Sequence, residues 1–179
     1  REIIHMEFGQ PSTGAPARAI AAAHQVLDTD PMGYWESTPL KQRIVLHYQQ
    51  HHQVEIDPER IFLTCGASPA LVLALSSLFA PGARVAIARP GYVAYRNTLK
   101  AMYLEPIEIA CGEAEGFRLS AEALAKIHPA PDGVIIASPA NPTGTIIPPN
   151  ELAAIAAFCQ ERGIRIVSDE IYHGLSYGS

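Results

Sequence analysis

The sequence lacks the features that mark membrane, nucleic-acid-binding and disulfide-rich proteins. Its longest apolar stretch, residues 70–80, is shorter than the roughly 20 residues of a transmembrane helix. Its 13 lysines and arginines are outnumbered by 18 aspartates and glutamates and form no basic stripe, so we expect neither nucleic acid nor a membrane as a partner. The three cysteines, Cys65, Cys111 and Cys159, have no metal-binding spacing and indicate no disulfide framework, which fits a reducing cytoplasm.

The chain is long and apolar enough for one domain with a sizeable core, because 48% of its 179 residues are hydrophobic. Helical patterns at residues 17–27 and 40–53 open the chain. From there, short β-branched runs alternate with helices, with strands predicted at residues 61–64, 84–88, 103–109, 134–138 and 165–168 and helices at 68–79, 92–102, 120–127 and 150–162. Repeated β-α-β units with apolar strands predict a three-layer α/β/α fold with a mostly parallel sheet.

In such a sheet, ligands bind beyond the carboxyl ends of the strands. Gly66, Ala67 and Ser68 lie between a predicted strand and a long helix. Their N–H groups and the Ser68 hydroxyl can therefore bind an anion at the start of that helix. Gly and Ser also cap helices, and for such a tripeptide taken alone a purely structural helix start is the commoner case.

Three further strand ends carry residues suited to a flat aromatic ligand. Asp169 ends an apolar strand, where its carboxylate can pair with a protonated ring nitrogen or merely favour the following turn. Asn141 offers an amide donor, within an Asn-Pro-Thr-Gly string that is also typical of turns. Tyr92 can lie against an aromatic ring or pack against Tyr95, and Tyr172 can reach the same ligand or pack internally. Together with the anion site, these residues suit a flat, phosphorylated heteroaromatic ligand with a basic nitrogen.

Four segments carry a resemblance to a known family. TCGASPALVLAL, RPGYVAY, SPANPTG and SDEIYHGL occur in the order and at the intervals typical of the class I/II aminotransferases. Over essentially its whole length the chain resembles these fold type I enzymes, which use pyridoxal 5′-phosphate (PLP). The resemblance implies an N-terminal arm and helices over residues 1–56 and part of a PLP-binding large domain over residues 57–179, with the C-terminal small domain absent.

The resemblance also implies which residues contact the cofactor. Residues 66–68 would hold the phosphate, and Tyr92 would stack on the pyridine ring. Asp169 would pair with the pyridinium nitrogen and so maintain the ring as an electron sink. Asn141 and Tyr172 would hydrogen-bond the phenolic oxygen.

The N-terminal part fits the same family. Gly9 looks like the glycine near the substrate carboxylate, or else belongs to an ordinary turn. Tyr34 looks like the tyrosine that reaches the cofactor phosphate of a neighbouring subunit, which implies a homodimer; the segment after it is shorter than the family pattern, so a structural role is equally open. The resemblance further implies cis peptide bonds before Pro90 and Pro142.

Transamination needs a lysine, as covalent partner of the cofactor and as the base that moves the α-proton. The chain contains only Lys41, Lys100 and Lys126, which we expect to be exposed surface residues. In the family the Schiff-base lysine follows the DEIY segment in a Ser-x-x-Lys setting, so we expect it, and the arginine that binds the substrate carboxylate, beyond Ser179. We therefore predict no catalytic residue within this chain and no transamination by the chain alone.

The sequence thus predicts part of a cytoplasmic, homodimeric aminotransferase that moves an amino group between an α-amino acid and a 2-oxo acid. A carbon–sulfur β-lyase on the same fold is the nearest enzymatic alternative. A PLP-sensing regulatory domain and a non-catalytic dimerisation domain are the alternatives from other classes.

Overall fold

A computed structural model describes residues 3–4, 13–34 and 36–177. Gly9 lies outside the described residues. The chain forms two compact units, residues 1–63 and residues 64–179, and the division expected from sequence, after residue 56, falls within the first of them.

The order of elements alternates between helix and strand from the start of the second unit. The helices are α1 (Ala17–Thr29), α2 (Thr38–His52), α3 (Ala67–Leu78), α4 (Val93–Ala101), α5 (Ala121–Ala125) and α6 (Pro149–Arg162). The strands are β1 (Arg84–Arg89), β2 (Glu105–Ala110), β3 (Gly133–Ala137) and β4 (Arg165–Asp169), and two short 3₁₀ turns lie at Pro58–Arg60 and Glu113–Glu115.

In the first unit, Lys41 near the start of α2 contradicts the expectation that it is exposed. The Ser37 hydroxyl caps the helix by accepting a hydrogen bond from the Leu40 N–H at 3.3 Å. Lys41, expected on the surface, is only 6% exposed, and its Nζ lies 2.8 Å from Glu36 Oε1. Burial of an ammonium group is tolerated here because the charge is paired, which sequence periodicity could not predict.

The prediction of a strand at residues 61–64 was wrong. These residues adopt no regular structure and follow directly on the Pro58–Arg60 turn. Phe62 is 76% exposed, and no described strand pairs with the segment. A short apolar run shows β propensity, but without a partner strand it cannot satisfy a ladder of hydrogen bonds.

The second unit contains a four-stranded sheet in the order β2-β1-β3-β4. Every pairing is parallel, which confirms the predicted α/β fold with a mostly parallel sheet. Because the strands are parallel, the carboxyl ends of β1, β3 and β4 lie at one edge of the sheet. The segments that follow these three strands carry the residues predicted to bind a ligand.

Side chains alternate between the two faces of the sheet. One face carries Val85, Ile87 and Ile135, packed with residues that include Leu75 of α3 and Leu99 of α4. The opposite face packs against α5 and α6, through a cluster that contains Ala86, Val134, Ile136, Leu124, Ile155 and Cys159. Helices therefore cover the sheet on both sides, as the apolar strands predicted.

Close packing explains one glycine in this sheet. A Cβ at Gly133 would overlap the ring of Phe79, so a larger residue in β3 would require that ring to move. Among the described residues, no helix combines the length and the apolar character needed to cross a bilayer.

Candidate functional site

The segment before α3 forms an open helix start. Gly66 has φ 106° and ψ 174°, a conformation that is essentially restricted to glycine. The Thr64 hydroxyl supports it by donating a 2.8 Å hydrogen bond to the Gly66 carbonyl. Among the described residues, chain neighbours aside, no heavy atom lies within 4 Å of the position that a Gly66 Cβ would take.

The first turn of α3 leaves its donors available. No side chain caps the helix, and within residues 64–177 no hydrogen bond engages the Ser68 hydroxyl. The exposed Ala67 and Ser68 contribute N–H groups that no carbonyl of the helix accepts, whereas Pro69 has none to offer. Two amides, a hydroxyl and the positive end of the helix dipole together suit an anion such as a phosphate.

Asp169, the last residue of β4, is half-buried and held through both carboxylate oxygens. Oδ1 accepts the Ile171 N–H at 3.1 Å, which is the turn role expected as an alternative. Oδ2 accepts the Tyr95 hydroxyl at 2.6 Å. The carboxylate therefore has a fixed orientation at the edge of the sheet, with lone pairs remaining for a ligand.

Tyr92 and Tyr95 form an aromatic pair at the start of α4. Their ring centroids are 5.4 Å apart and the ring planes meet at 87°, an edge-to-face contact. This confirms the expected packing between the two rings. Tyr92 nevertheless remains 39% exposed, so part of its ring stays available to a ligand.

The loop between β3 and α6 closes on itself. The Ala140 N–H donates to the Thr145 carbonyl at 3.0 Å, and the Gly144 N–H donates to the Ala140 carbonyl at 2.7 Å. Asn141 lies within this closed turn and lines a cleft together with Tyr172. The expected turn is therefore present, and it places an amide side chain beside the tyrosine that follows β4.

Three clefts contain predicted site residues in their lining. The first contains Tyr92, Tyr95 and Asn141 in its lining, and the second contains Asn141 and Tyr172. The third runs along the first turns of α3 to β4, with Ala67 and Asp169 in its lining. The first two clefts share Asn141, and the hydrogen bond from Tyr95 to Asp169 links the first cleft to the third. Gly66 and Ser68 flank Ala67 in the chain but line none of the three clefts.

Other predictions fall outside this neighbourhood or concern its backbone. Tyr34 belongs to the first unit and is fully exposed, and its role stays a prediction, as does that of Gly9. The bonds before Pro90 and Pro142 are cis, as expected, and the bonds before Pro129 and Pro139 are cis as well.

The sequence reasoning missed two residues of the site. For Tyr95 the sequence indicates only a packing role, although its position three residues after Tyr92 places it on the same side of the helix start. Arg118 lines the first cleft. Its Nε is buried and makes no hydrogen bond to any residue that the structure describes, while Nη2 lies 3.3 Å from Glu151 Oε1. No motif around Arg118 signalled this position.

Two further observations bear on the chemistry of the site. Burial, followed by the hydrogen bond to Asp169, raises the pKa of Tyr95 far above its ordinary value. Tyr95 therefore remains a protonated donor. Among the residues that the structure describes, no group of three or more histidine, cysteine, aspartate or glutamate side chains is arranged to hold a metal ion.

Comparison with known proteins places this site in context. The family model described as aminotransferase class I and II matches residues 1–179. A valine–pyruvate aminotransferase of Mycobacterium tuberculosis is 44% identical over 98% of this chain, which corresponds to 46% of that protein. An aspartate aminotransferase of Geobacillus stearothermophilus is 31% identical over 99% of this chain and 46% of its own length.

The fold agrees with the sequence comparison. The crystal structure of an aminotransferase from Mycobacterium tuberculosis superposes with a TM-score of 0.92 at 45% identity, over 96% of this chain and 48% of that one. The chain therefore spans about half the length of the relatives it matches.

Proposed function

This chain belongs to the class I and II aminotransferase family, and on that premise we propose that it supplies the PLP contacts of an enzyme that transfers an amino group between an α-amino acid and a 2-oxo acid. The observation that carries the proposal is the open start of α3, whose Ser68 hydroxyl is unpartnered within residues 64–177. This anion site shares a cleft lining with Asp169 through Ala67. A phosphate site and a carboxylate at one sheet edge suit a phosphorylated pyridine.

Each part of PLP has a chemically suitable partner. Residues 66–68 would bind the phosphate through N–H and hydroxyl donors, and the space in front of Gly66 is open to receive it. Tyr92 would lie against the ring. Asp169 would accept a hydrogen bond from the protonated ring nitrogen, and Asn141 with Tyr172 would bind the phenolic oxygen.

The chain's own part in the reaction is to bind and orient. When bound, PLP supplies an electron sink that stabilises negative charge at the α-carbon of the substrate. Asp169 would keep the ring nitrogen protonated, which that sink requires. We assign the proton-transferring base to no residue of the second unit, because neither Lys100 nor Lys126 lines any of the three clefts.

Further parts of the proposal rest on the family resemblance. We propose a cytoplasmic homodimer in which Tyr34 reaches the phosphate site of the partner subunit and Gly9 lies near the substrate carboxylate. Light scattering of the natural full-length protein tests the dimer, and the effect of Tyr34→Phe on PLP affinity tests the shared site. A monomer that binds PLP with undiminished affinity would contradict this arrangement.

The direct test measures PLP binding and amino transfer by the natural full-length protein. The names of the two relatives suggest the first substrates, valine with pyruvate and, separately, aspartate with a 2-oxo acid. We expect PLP-dependent formation of a new amino acid from the 2-oxo acid. Release of a thiol and a 2-oxo acid without any amino acceptor would instead favour a β-lyase, and absence of PLP binding would refute the proposal.

A matched pair of variants on α3 sharpens this test. Ser68→Ala removes a hydrogen bond to a charged phosphate, worth about 1.5–3 kcal/mol, and should raise the Kd for PLP roughly ten- to a hundredfold. Ser76→Ala, on the same helix, removes only a hydroxyl that bonds the Leu73 carbonyl at 3.0 Å. Its Kd should equal that of the unsubstituted protein.

A further inference from the structure

Tyr95 is a buried polar side chain to which neither the motifs nor the proposed contacts assign a role. It is 6% exposed, and its hydroxyl donates to Asp169 Oδ2 across 2.6 Å. That distance is typical of a hydrogen bond from a hydroxyl to a charged carboxylate. The bond joins α4 to the end of β4, two elements that are far apart in sequence.

The bond restrains the carboxylate at the second of its two oxygens. With Oδ1 held by the Ile171 N–H at 3.1 Å and Oδ2 held by Tyr95, rotation of the carboxylate would break one bond or the other. Without the Tyr95 hydroxyl, the one hydrogen bond to this carboxylate that remains within residues 64–177 would be that of the Ile171 N–H, in the turn that follows β4. The direction of the unused lone pairs of Asp169 therefore depends on Tyr95.

The same residue also supports the neighbouring aromatic ring. Tyr92 meets the Tyr95 ring edge-to-face at a centroid distance of 5.4 Å, a geometry that aromatic pairs favour. Since Tyr95 is buried, it offers a fixed surface against which the more exposed Tyr92 packs. One side chain thus contacts both the carboxylate and the ring at this edge of the sheet.

We propose that Tyr95 is a positioning residue that holds Asp169 and Tyr92 in the orientations needed to bind the cofactor ring. The inference rests on the proposed function, since it concerns two contacts to PLP. Burial and the negative charge of Asp169 raise the pKa of Tyr95, and the nearby Tyr92 and Tyr172 act in the same direction. The hydroxyl therefore acts as a permanent hydrogen-bond donor and transfers no proton.

The test compares Tyr95→Phe with Tyr103→Phe in the natural full-length protein. Phenylalanine at position 95 retains the ring and deletes only the hydroxyl, whereas Tyr103 is exposed and serves as the control. We expect Tyr95→Phe to weaken PLP binding several-fold, to alter the pH dependence of the bound cofactor's absorption, and to lower kcat about tenfold or more with little change in the KM for the amino acid. Tyr103→Phe should change none of these.

The outcomes separate the inference from the proposed function. If the unsubstituted protein binds no PLP, both fail. If it binds PLP and Tyr95→Phe matches it in affinity, absorption and kcat, the inference alone is overturned.

A measurement without cofactor guards against a variant that does not fold. Tyrosine ¹³Cζ NMR of the cofactor-free protein should show Tyr95 still protonated above about pH 10, the ordinary pKa of a tyrosine side chain. Asp169→Asn should move the Tyr95 titration to lower pH. Ionisation of Tyr95 near the ordinary tyrosine pKa would overturn the inference, because the hydrogen bond to Asp169 would then be absent.

Discussion

Replacing Gly66 by alanine probes the phosphate site through its backbone. At φ 106° and ψ 174° an L-residue is strained by roughly 1–3 kcal/mol. Because no heavy atom of residues 13–34 or 36–177, chain neighbours aside, lies within 4 Å of the position that the alanine methyl group would take, the strain comes from the backbone and not from a clash with these residues. The free energy of unfolding should fall by about that amount, which corresponds to a lower Tm by about 2–8 °C per kcal/mol.

Gly14 provides the control for this substitution. In the part of the chain that the structure describes, it too has nothing within 4 Å of a Cβ position, but its φ lies outside the left-handed range. Gly14→Ala should therefore change stability by no more than about 0.5 kcal/mol. Urea unfolding followed by circular dichroism measures both variants, and a PLP titration of Gly66→Ala should also show weaker binding, because relief of the strain reorients the amides before α3. Equal stability of Gly66→Ala and the unsubstituted protein would refute the reasoning.

Two further predictions concern the core of the second unit. Leu75→Ala should lower the free energy of unfolding by about 2–5 kcal/mol, because Leu75 is fully buried. Leu73→Ala, on the exposed side of the same helix, should change the free energy of unfolding by no more than about 0.5 kcal/mol. Equal losses of stability in urea unfolding would contradict the packing of α3. Burial raises the pKa of the Cys111 and Cys159 thiols, whereas Cys65 is exposed. At pH 8 iodoacetamide should therefore label Cys65, and it should label Cys111 and Cys159 only at higher pH or after unfolding. Peptide mapping that finds all three cysteines labelled equally at pH 8 would contradict the burial of Cys111 and Cys159.

The fold of the second unit was largely predictable from the sequence. Apolar strands and intervening helices have strong periodicity, and a parallel sheet with both faces covered follows from them. The segment at residues 61–64 shows the limit: its apolar residues fit a strand, but strand formation depends on a partner that no local pattern reveals. Lys41 shows the same limit for burial, because its ion pair with Glu36 lies outside any hydrophobic periodicity.

The candidate site was predictable where a single segment carries it. Residues 66–68 indicate an anion site because glycine, hydroxyl and helix start are consecutive in sequence. The contact between Tyr95 and Asp169 spans 74 residues, and only the parallel order of β1, β3 and β4 brings the two side chains together. Contacts of this kind depend on tertiary structure, so the sequence could name Asp169 but not what holds it.

The most direct test of the account is a crystal structure of the natural full-length protein with PLP bound. We predict that the phosphate lies within hydrogen-bond distance, about 2.7–3.2 Å, of the Ser68 hydroxyl and the Ala67 N–H. The ring should lie against Tyr92, and its nitrogen should face the carboxylate of Asp169. A cofactor bound elsewhere, or a phosphate that does not contact residues 66–68, would contradict the account.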